Sequence, residues 1–259
     1  GHDNIFGNAF YRRLEDGGFE EISDRIGAEN YWPWGLSTGD LNADGWDDVF
    51  IASSMNFPFR YGVNSVLLNN RGEKLLDSEF ILGVEPRRGG AALKPWFVVD
   101  CDGADRAREQ CQGRSGKFEL WGTLCSCSSA IFDLDDDGDL DIVTNEFNSE
   151  PMVLVSDLAA RTDVGYLKVA LIGTASNRDG LGAVVRVTAG GTTWTKVNDG
   201  VSGYLSHSRM PLYFGLGGAD RVDRVEVAWP SGATQTLTEG IGVNTTLTIT
   251  EEAEAAAAE

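Results

Sequence analysis

Polar and apolar side chains alternate clearly in the second half of the chain. Tyr166–Ile172, Ala183–Thr188, Thr192–Val197, Arg224–Trp229 and Thr245–Thr250 each send successive side chains to opposite faces. That period of two is the mark of a half-buried strand. Gly190-Gly191, Asp199-Gly200 and Ser231-Gly232 punctuate them, the first pair being a hairpin signal. Short strands at this spacing predict a β-sandwich or a small barrel. The first half is less regular. Ala9–Leu14, Gly18–Ile22 and Asn64–Asn70 read as short strands between Gly, Asn and Asp turns, while Val49–Ala52 and Ile142–Thr144 are β-branched or apolar throughout. Every ordered element so predicted is a strand, so the fold class is all-β.

Each of those two apolar runs follows an acidic stretch of the same design. In the first, Asp40, Asn42 and Asp44 alternate along the chain, then come Gly45, Trp46 and Asp48. In the second, Asp133, Asp135 and Asp137 alternate, then come Gly138, Asp139 and Asp141. Carboxylates this close repel one another unless a cation lies between them. Oxygen ligands at positions 1, 3 and 5, a backbone carbonyl at 7 (Trp46 or Asp139) and a carboxylate at 9 (Asp48 or Asp141) suit calcium, a hard oxygen-seeking ion. Glycine at position 6 permits the sharp turn that gathers them. An EF-hand would need Glu at position 12 and flanking helices, whereas Ile51 and Thr144 stand there with strands around them. Two calcium sites between β-strands are therefore expected. Surface turns rich in Asp, Asn and Gly are the plainer alternative, but chance turns do not reproduce one nine-residue template twice. Asp100-Cys101-Asp102-Gly103-Ala104-Asp105 is a degenerate third candidate without the full spacing.

Composition narrows the partners. A formal charge of −19 over 259 residues disfavours nucleic acid and anionic membrane, since neither polyanion is attracted. No run of about eighteen apolar residues is present to form a membrane-spanning helix, so membrane insertion is not expected. Gly1-His2-Asp3-Asn4 is polar and reads as a processed or cut end. Cys101, Cys111, Cys125 and Cys127 lack the paired spacing of a zinc site. An even number beside acidic loops points to disulfides in an oxidising compartment. Three pairings exist; Cys101 with Cys111, closing a polar loop, is favoured, and the other pair is left open. An Asn-Thr-Thr sequon at Asn244 is compatible with export.

Residues 40–48 and 133–141 resemble the calcium loops of FG-GAP/VCBS repeats, the propeller blades also found in integrin α-subunits. Residues 166–250 look like an ASPIC/UnbV domain, with the pattern in Gly173–Ala183, Gly203–Ser206, Tyr213–Gly217 and Val222–Gly232. Blades followed by this domain are similar to the cartilage-acidic-protein-like family of secreted proteins. The resemblance implies incomplete β-propeller-type blades over residues 1–158 and a sandwich- or barrel-like domain over 159–250, with a Glu/Ala tail over 251–259. It also implies an extracellular or cell-surface, calcium-dressed adhesion or matrix module. A propeller closes with about four blades or more, and the first 158 residues, at roughly fifty to sixty residues per blade, supply fewer than that. Open sheet edges are templates for pairing. A protein partner or self-association through those edges is thus expected, with a polymer subunit as the alternative function.

Catalysis has little support. His2 and His207 are the two histidines, and Ser206-His207-Ser208 lacks the Gly-x-Ser-x-Gly elbow of a hydrolase. Asn177-Arg178-Asp179-Gly180 reads as a structural turn. Trp32, Trp34, Trp96 and Trp121 are expected to fill blade cores; stacking on a sugar ring would instead make the chain a carbohydrate-binding or carbohydrate-acting protein.

Overall fold

The computed structural model describes residues 8–28, 30, 32–53, 61–87, 92–201, 203–207 and 211–252. His2, Ser208 and residues 253–259 of the Glu/Ala tail lie outside the described residues. The described elements are almost wholly strands, and among them no sheet closes into a barrel.

A short hairpin, β1 (Tyr11–Arg13) and β2 (Phe19–Glu21), precedes the one-turn helix α1 (Ser23–Ile26). A four-stranded antiparallel sheet follows, ordered β3 (Pro33–Gly39), β4 (Asp48–Ser53), β5 (Ser65–Asn70), β6 (Lys74–Asp77). Every residue of β4 is buried, because this sheet is covered on both faces. Val49 and Ile51 pack with Ile26, Leu67 and Leu75 on one side. Phe50 and Ala52 pack with Val66, Val84 and Ile142 on the other. The unbroken apolar run therefore reports two covered faces rather than a helix. Each fully buried side chain of this size contributes about 1.5–3 kcal/mol.

Next comes the hairpin β7 (Leu93–Asp100) and β8 (Lys117–Thr123), whose connection is closed by Cys101–Cys111, the favoured disulfide. Cys125 and Cys127 are not in a disulfide. They stand two apart on β9 (Cys125–Phe132), and burial together with Cys125 pushes the Cys127 thiol up to about 11. β9 pairs with β10 (Asp141–Phe147), which pairs with β11 (Met152–Leu154).

The strands leading into the two acidic loops, β3 and β9, press against each other. A Cβ on Gly35 would lie 2.7 Å from the carbonyl oxygen of Cys127, and one on Gly39 would overlap Ile131. The Ser37 hydroxyl donates to the Ser129 carbonyl at 2.8 Å. At the strand ends away from the loops, a buried polar network ties the sheets together. Arg87 pairs with Glu146 and donates to Ser126 (3.1 Å) and Tyr61 (2.6 Å), and the Tyr61 hydroxyl donates to Glu85 at 2.8 Å.

After helix α2 (Leu158–Arg161) the chain forms a sandwich. One sheet is ordered β15 (Leu212–Gly215), β12 (Tyr166–Ile172), β18 (Thr245–Thr250), with β12 and β18 parallel. The other is ordered β14 (Thr192–Val197), β13 (Val184–Ala189), β16 (Arg224–Ala228), β17 (Thr234–Leu237). Leu167, Val169, Phe214 and Ile249 of the first sheet meet Val185, Val187, Val225 and Val227 of the second, with Trp229 among them. The alternation in the sequence is this inward–outward pattern.

Two expectations change. Trp34 and Trp121 are about half exposed rather than in blade cores, because Trp34 stands at the bulge where the β3–β4 register shifts and Trp121 lies on the exposed face of β8. Trp34 meets Tyr204 edge to face, while Trp96 packs on Phe97 and Phe147. Glu251, read as the start of the tail, is buried within the sandwich. Its carboxylate accepts the N–H groups of Thr174, Ala175 and Ser176 at 2.7–2.9 Å and the hydroxyls of Ser176 and Ser231. Burial alone would raise its pKa; those donors outweigh it and bring the group down to about 2. Asn177-Arg178-Asp179-Gly180 is the turn expected, with Asn177 bridging to both backbone groups of Leu181.

Candidate functional site

Both acidic stretches are tight loops between strands, and their backbones are held alike. In the first, Asp40 Oδ2 accepts the Gly45 N–H (2.8 Å) and Asp48 Oδ2 accepts the Leu41 N–H (2.8 Å). In the second, Asp133 Oδ2 accepts the Gly138 N–H (3.0 Å) and Asp141 Oδ2 accepts the Leu134 N–H (2.7 Å). The other oxygen of each closing acid accepts an N–H from the strand region beyond: Asn69 to Asp48 at 2.7 Å, Ser156 to Asp141 at 2.8 Å. Positions 4 and 6 take the left-handed conformation in both, with φ of +55° at Ala43 and +92° at Gly45, and +63° at Asp136 and +103° at Gly138. The nine-residue template therefore builds one backbone turn twice, while among the described residues the acids converge only in the second loop.

In the second loop, oxygens of Asp133, Asp135 and Asp141 lie within 4.8 Å of one another. The Asp133 side chain is 2% exposed, and its Oδ1 has no hydrogen-bond partner. A buried carboxylate oxygen without a donor costs free energy; a divalent ion bound by oxygens would relieve it. These residues therefore fit a hard cation. Asp137 is not in the converging set and accepts the Asp139 N–H at 3.1 Å. The Asp139 side chain turns away to accept the Ala159 N–H at 2.7 Å, consistent with a backbone role at position 7. Burial, and then the neighbouring acids, raise the pKa of Asp139 and Asp141.

The first loop carries Asn42 where the second has Asp135. Asn42 donates to Asp44 at 3.2 Å, and Asp44 accepts the Trp46 N–H at 2.9 Å. Asp40 and Asp48 are buried, which pushes them up to about 6 and about 7; repulsion within the loop adds to this. Asp100, Asp102 and Asp105, the degenerate third candidate, do not converge in this way. Asp105 accepts the Asp100 N–H and pairs with Arg108, Asp100 pairs with Lys117, and Asp102 accepts the Gly116 N–H.

The loops do not face solvent freely; both dock on the C-terminal sandwich. Trp194 covers Gly45 and Tyr166 covers Gly138, so closely that a Cβ on either glycine would overlap the ring. Two residues further along the same strands, Lys196 reaches Asp47 at 2.5 Å and Lys168 reaches Asp133 at 2.9 Å and Asp136. The Gly217 N–H donates to the Ala43 carbonyl (3.1 Å), and the Tyr213 hydroxyl donates to the Gly138 carbonyl (2.9 Å). Between the loops lies a cavity of about 540 Å³, lined in part by Ser37, Thr38, Lys168, Lys196, Asn198 and Thr246. Sequence reasoning missed these docking residues. The signal was an aromatic residue followed two positions later by lysine on the same face of a strand, in Tyr166-Leu167-Lys168 and again in Trp194-Thr195-Lys196.

Ser206 and His207, the described hydrolase candidates, have structural partners. The Ser206 hydroxyl donates to the Ser129 carbonyl at 2.8 Å, and exposed His207 bridges to Val201.

Comparison with known families agrees with this architecture. Residues 173–256 match the family described as ASPIC and UnbV, and residues 4–51 match the FG-GAP-like repeat. The first acidic loop lies inside the repeat match; the second lies outside it, and its kinship rests on the shared geometry above. No curated protein matches the chain.

Proposed function

From a chain that carries an FG-GAP-like repeat and an ASPIC/UnbV domain, we propose an extracellular, non-catalytic interaction module that binds calcium at two loops. FG-GAP-like repeats are generally calcium-binding and typically extracellular. The observation that carries the reading is the convergence of Asp133, Asp135 and Asp141 around an unpartnered, buried Asp133 oxygen. Asp40, Asn42, Asp44 and Asp48 would hold the first ion with the Trp46 carbonyl; Asp133, Asp135 and Asp141 would hold the second with the Asp139 carbonyl. Calcium supplies positive charge and fixes the turns; the surrounding residues hold the loops against the sandwich. Calorimetric titration of calcium into chelator-stripped protein tests this, with two binding events and a raised melting temperature expected. Absence of any binding at millimolar calcium would overturn it.

Self-association through sheet edges is a second reading, making the chain a subunit of a larger assembly. It is favoured by β6 and β11, which among the described residues each have one paired neighbour, and by exposed Leu76, Phe80, Ile81, Val153 and Val155 at or beside them. Light scattering coupled to size exclusion is expected to report species above 28.0 kDa. A compact monomer with exchange-protected edge amides would exclude the reading.

A further inference from the structure

The two docking lysines are not equivalent. Lys196 meets Asp47, position 8 of its loop, which is not among the expected ligands. Lys168 meets Asp133, position 1 of its loop, and does so at the carboxylate whose other oxygen is unpartnered. Its ammonium also pairs with Asp136 and lies 5.5 Å from the Tyr166 ring centroid. The Lys168 side chain is 10% exposed, so little water screens this charge.

We propose that Lys168 is a built-in counter-cation of the second loop, one that sets its affinity for a divalent ion. A metal bound through Asp133 either displaces the ammonium or shares the carboxylate with it. Either way part of the attraction that the acids offer is already spent on Lys168. Among the described residues no lysine or arginine pairs with a ligand position of the first loop, and Lys196 acts on Asp40 only from its place on Asp47. The pull of Lys168 on Asp133 outweighs the carboxylate that Asp135 adds over Asn42, so the two loops fill in order: the first at lower calcium, the second at higher. Occupancy of the second loop is felt directly by the sandwich, since the displaced ammonium belongs to β12, which also contributes Leu167 and Val169 to the core.

This inference rests on calcium binding to both loops, and the test separates the two. Calcium is titrated calorimetrically into the stripped full chain, into Lys168→Met, into Lys168→Arg and into Lys196→Met. Expected is a tightening of about tenfold in the weaker of two binding events for Lys168→Met. Lys168→Arg is expected to stay near the wild type, and Lys196→Met to shift the events much less. Unchanged or weaker binding of two ions by a folded Lys168→Met overturns the inference while leaving the calcium reading intact; no binding by any chain overturns both. Should Lys168→Met not fold, terbium luminescence of the wild type decides. Trp194 sits on the first loop and Tyr166 on the second, so tryptophan-sensitised emission is expected to saturate before tyrosine-sensitised emission. Simultaneous saturation, or the reverse order, overturns the inference.

Discussion

The loops at 40–48 and 133–141 share hydrogen bonds, left-handed positions and a glycine beneath an aromatic ring, yet their charges are handled differently. In the first, Asp40 and Asp48 are buried among backbone donors, with the nearest lysine on Asp47. In the second, Lys168 lies on Asp133 itself. Local sequence thus builds the cage, and a distant strand decides how much negative charge remains for a metal. Glu251 shows the opposite limit: five donors converge on one buried carboxylate, which stays ionised with no cation paired to it among the described residues. Burial by itself does not make an acid a metal ligand.

The largest test of the shared architecture is steric. Gly45→Ala and Gly138→Ala each place a methyl group into Trp194 or Tyr166 at a backbone conformation that disfavours alanine. Each is expected to cost about 3 kcal/mol in denaturant unfolding. If one is silent, the two docked loops are not equivalent joints. Calcium removal comes next. An ion that binds the folded state alone contributes about 2.7 kcal/mol at a hundredfold excess over Kd. Calorimetric melting with and without chelator is expected to show a loss of that order for each loop, and Asp48→Asn or Asp141→Asn should abolish one share apiece.

A smaller effect sharpens the contrast with Glu251. Its folded-state pKa, about 2, lies below the ordinary value of 4.5, so its contribution is complete above 4.5 and disappears as pH falls towards 2. Glu251→Gln is expected to lower the melting temperature at neutral pH and to narrow the gap from the wild type as the solution is acidified. A gap that widens in acid would contradict the assignment. Least of all, Tyr213→Phe removes one hydrogen bond to the Gly138 carbonyl, at about 1 kcal/mol. It should weaken the second loop while leaving the first unchanged, as read by hydrogen exchange at Gly138 against Gly45.

Much of this was legible in the residues. The alternation of Val185, Arg186 and Val187 foretold a sandwich strand, and Cys101 with Cys111 was the favoured bridge. The tryptophans misled, because a large apolar side chain next to predicted strands does not reveal which sheet face is covered. Glu251 misled for a related reason: an acid followed by Glu and Ala resembles solvated tail until its partners, about 75 residues earlier, are brought beside it. The parallel pairing of β12 with β18 had no local signal either.

What the sequence determined by itself is the pair of acidic turns and the strands around them. Those forms depend on contacts within a few residues: an aspartate accepting the N–H five positions on, a glycine tolerating positive φ, a period of two. Tertiary structure decided which cations answer which acids. Lys168 reaches Asp133 across 35 residues and Lys196 reaches Asp47 across 149. A lysine's charge is the same wherever it stands in the sequence, but its Coulomb energy depends on distance and on the water excluded around it. Both are set only when the sandwich packs against the loops.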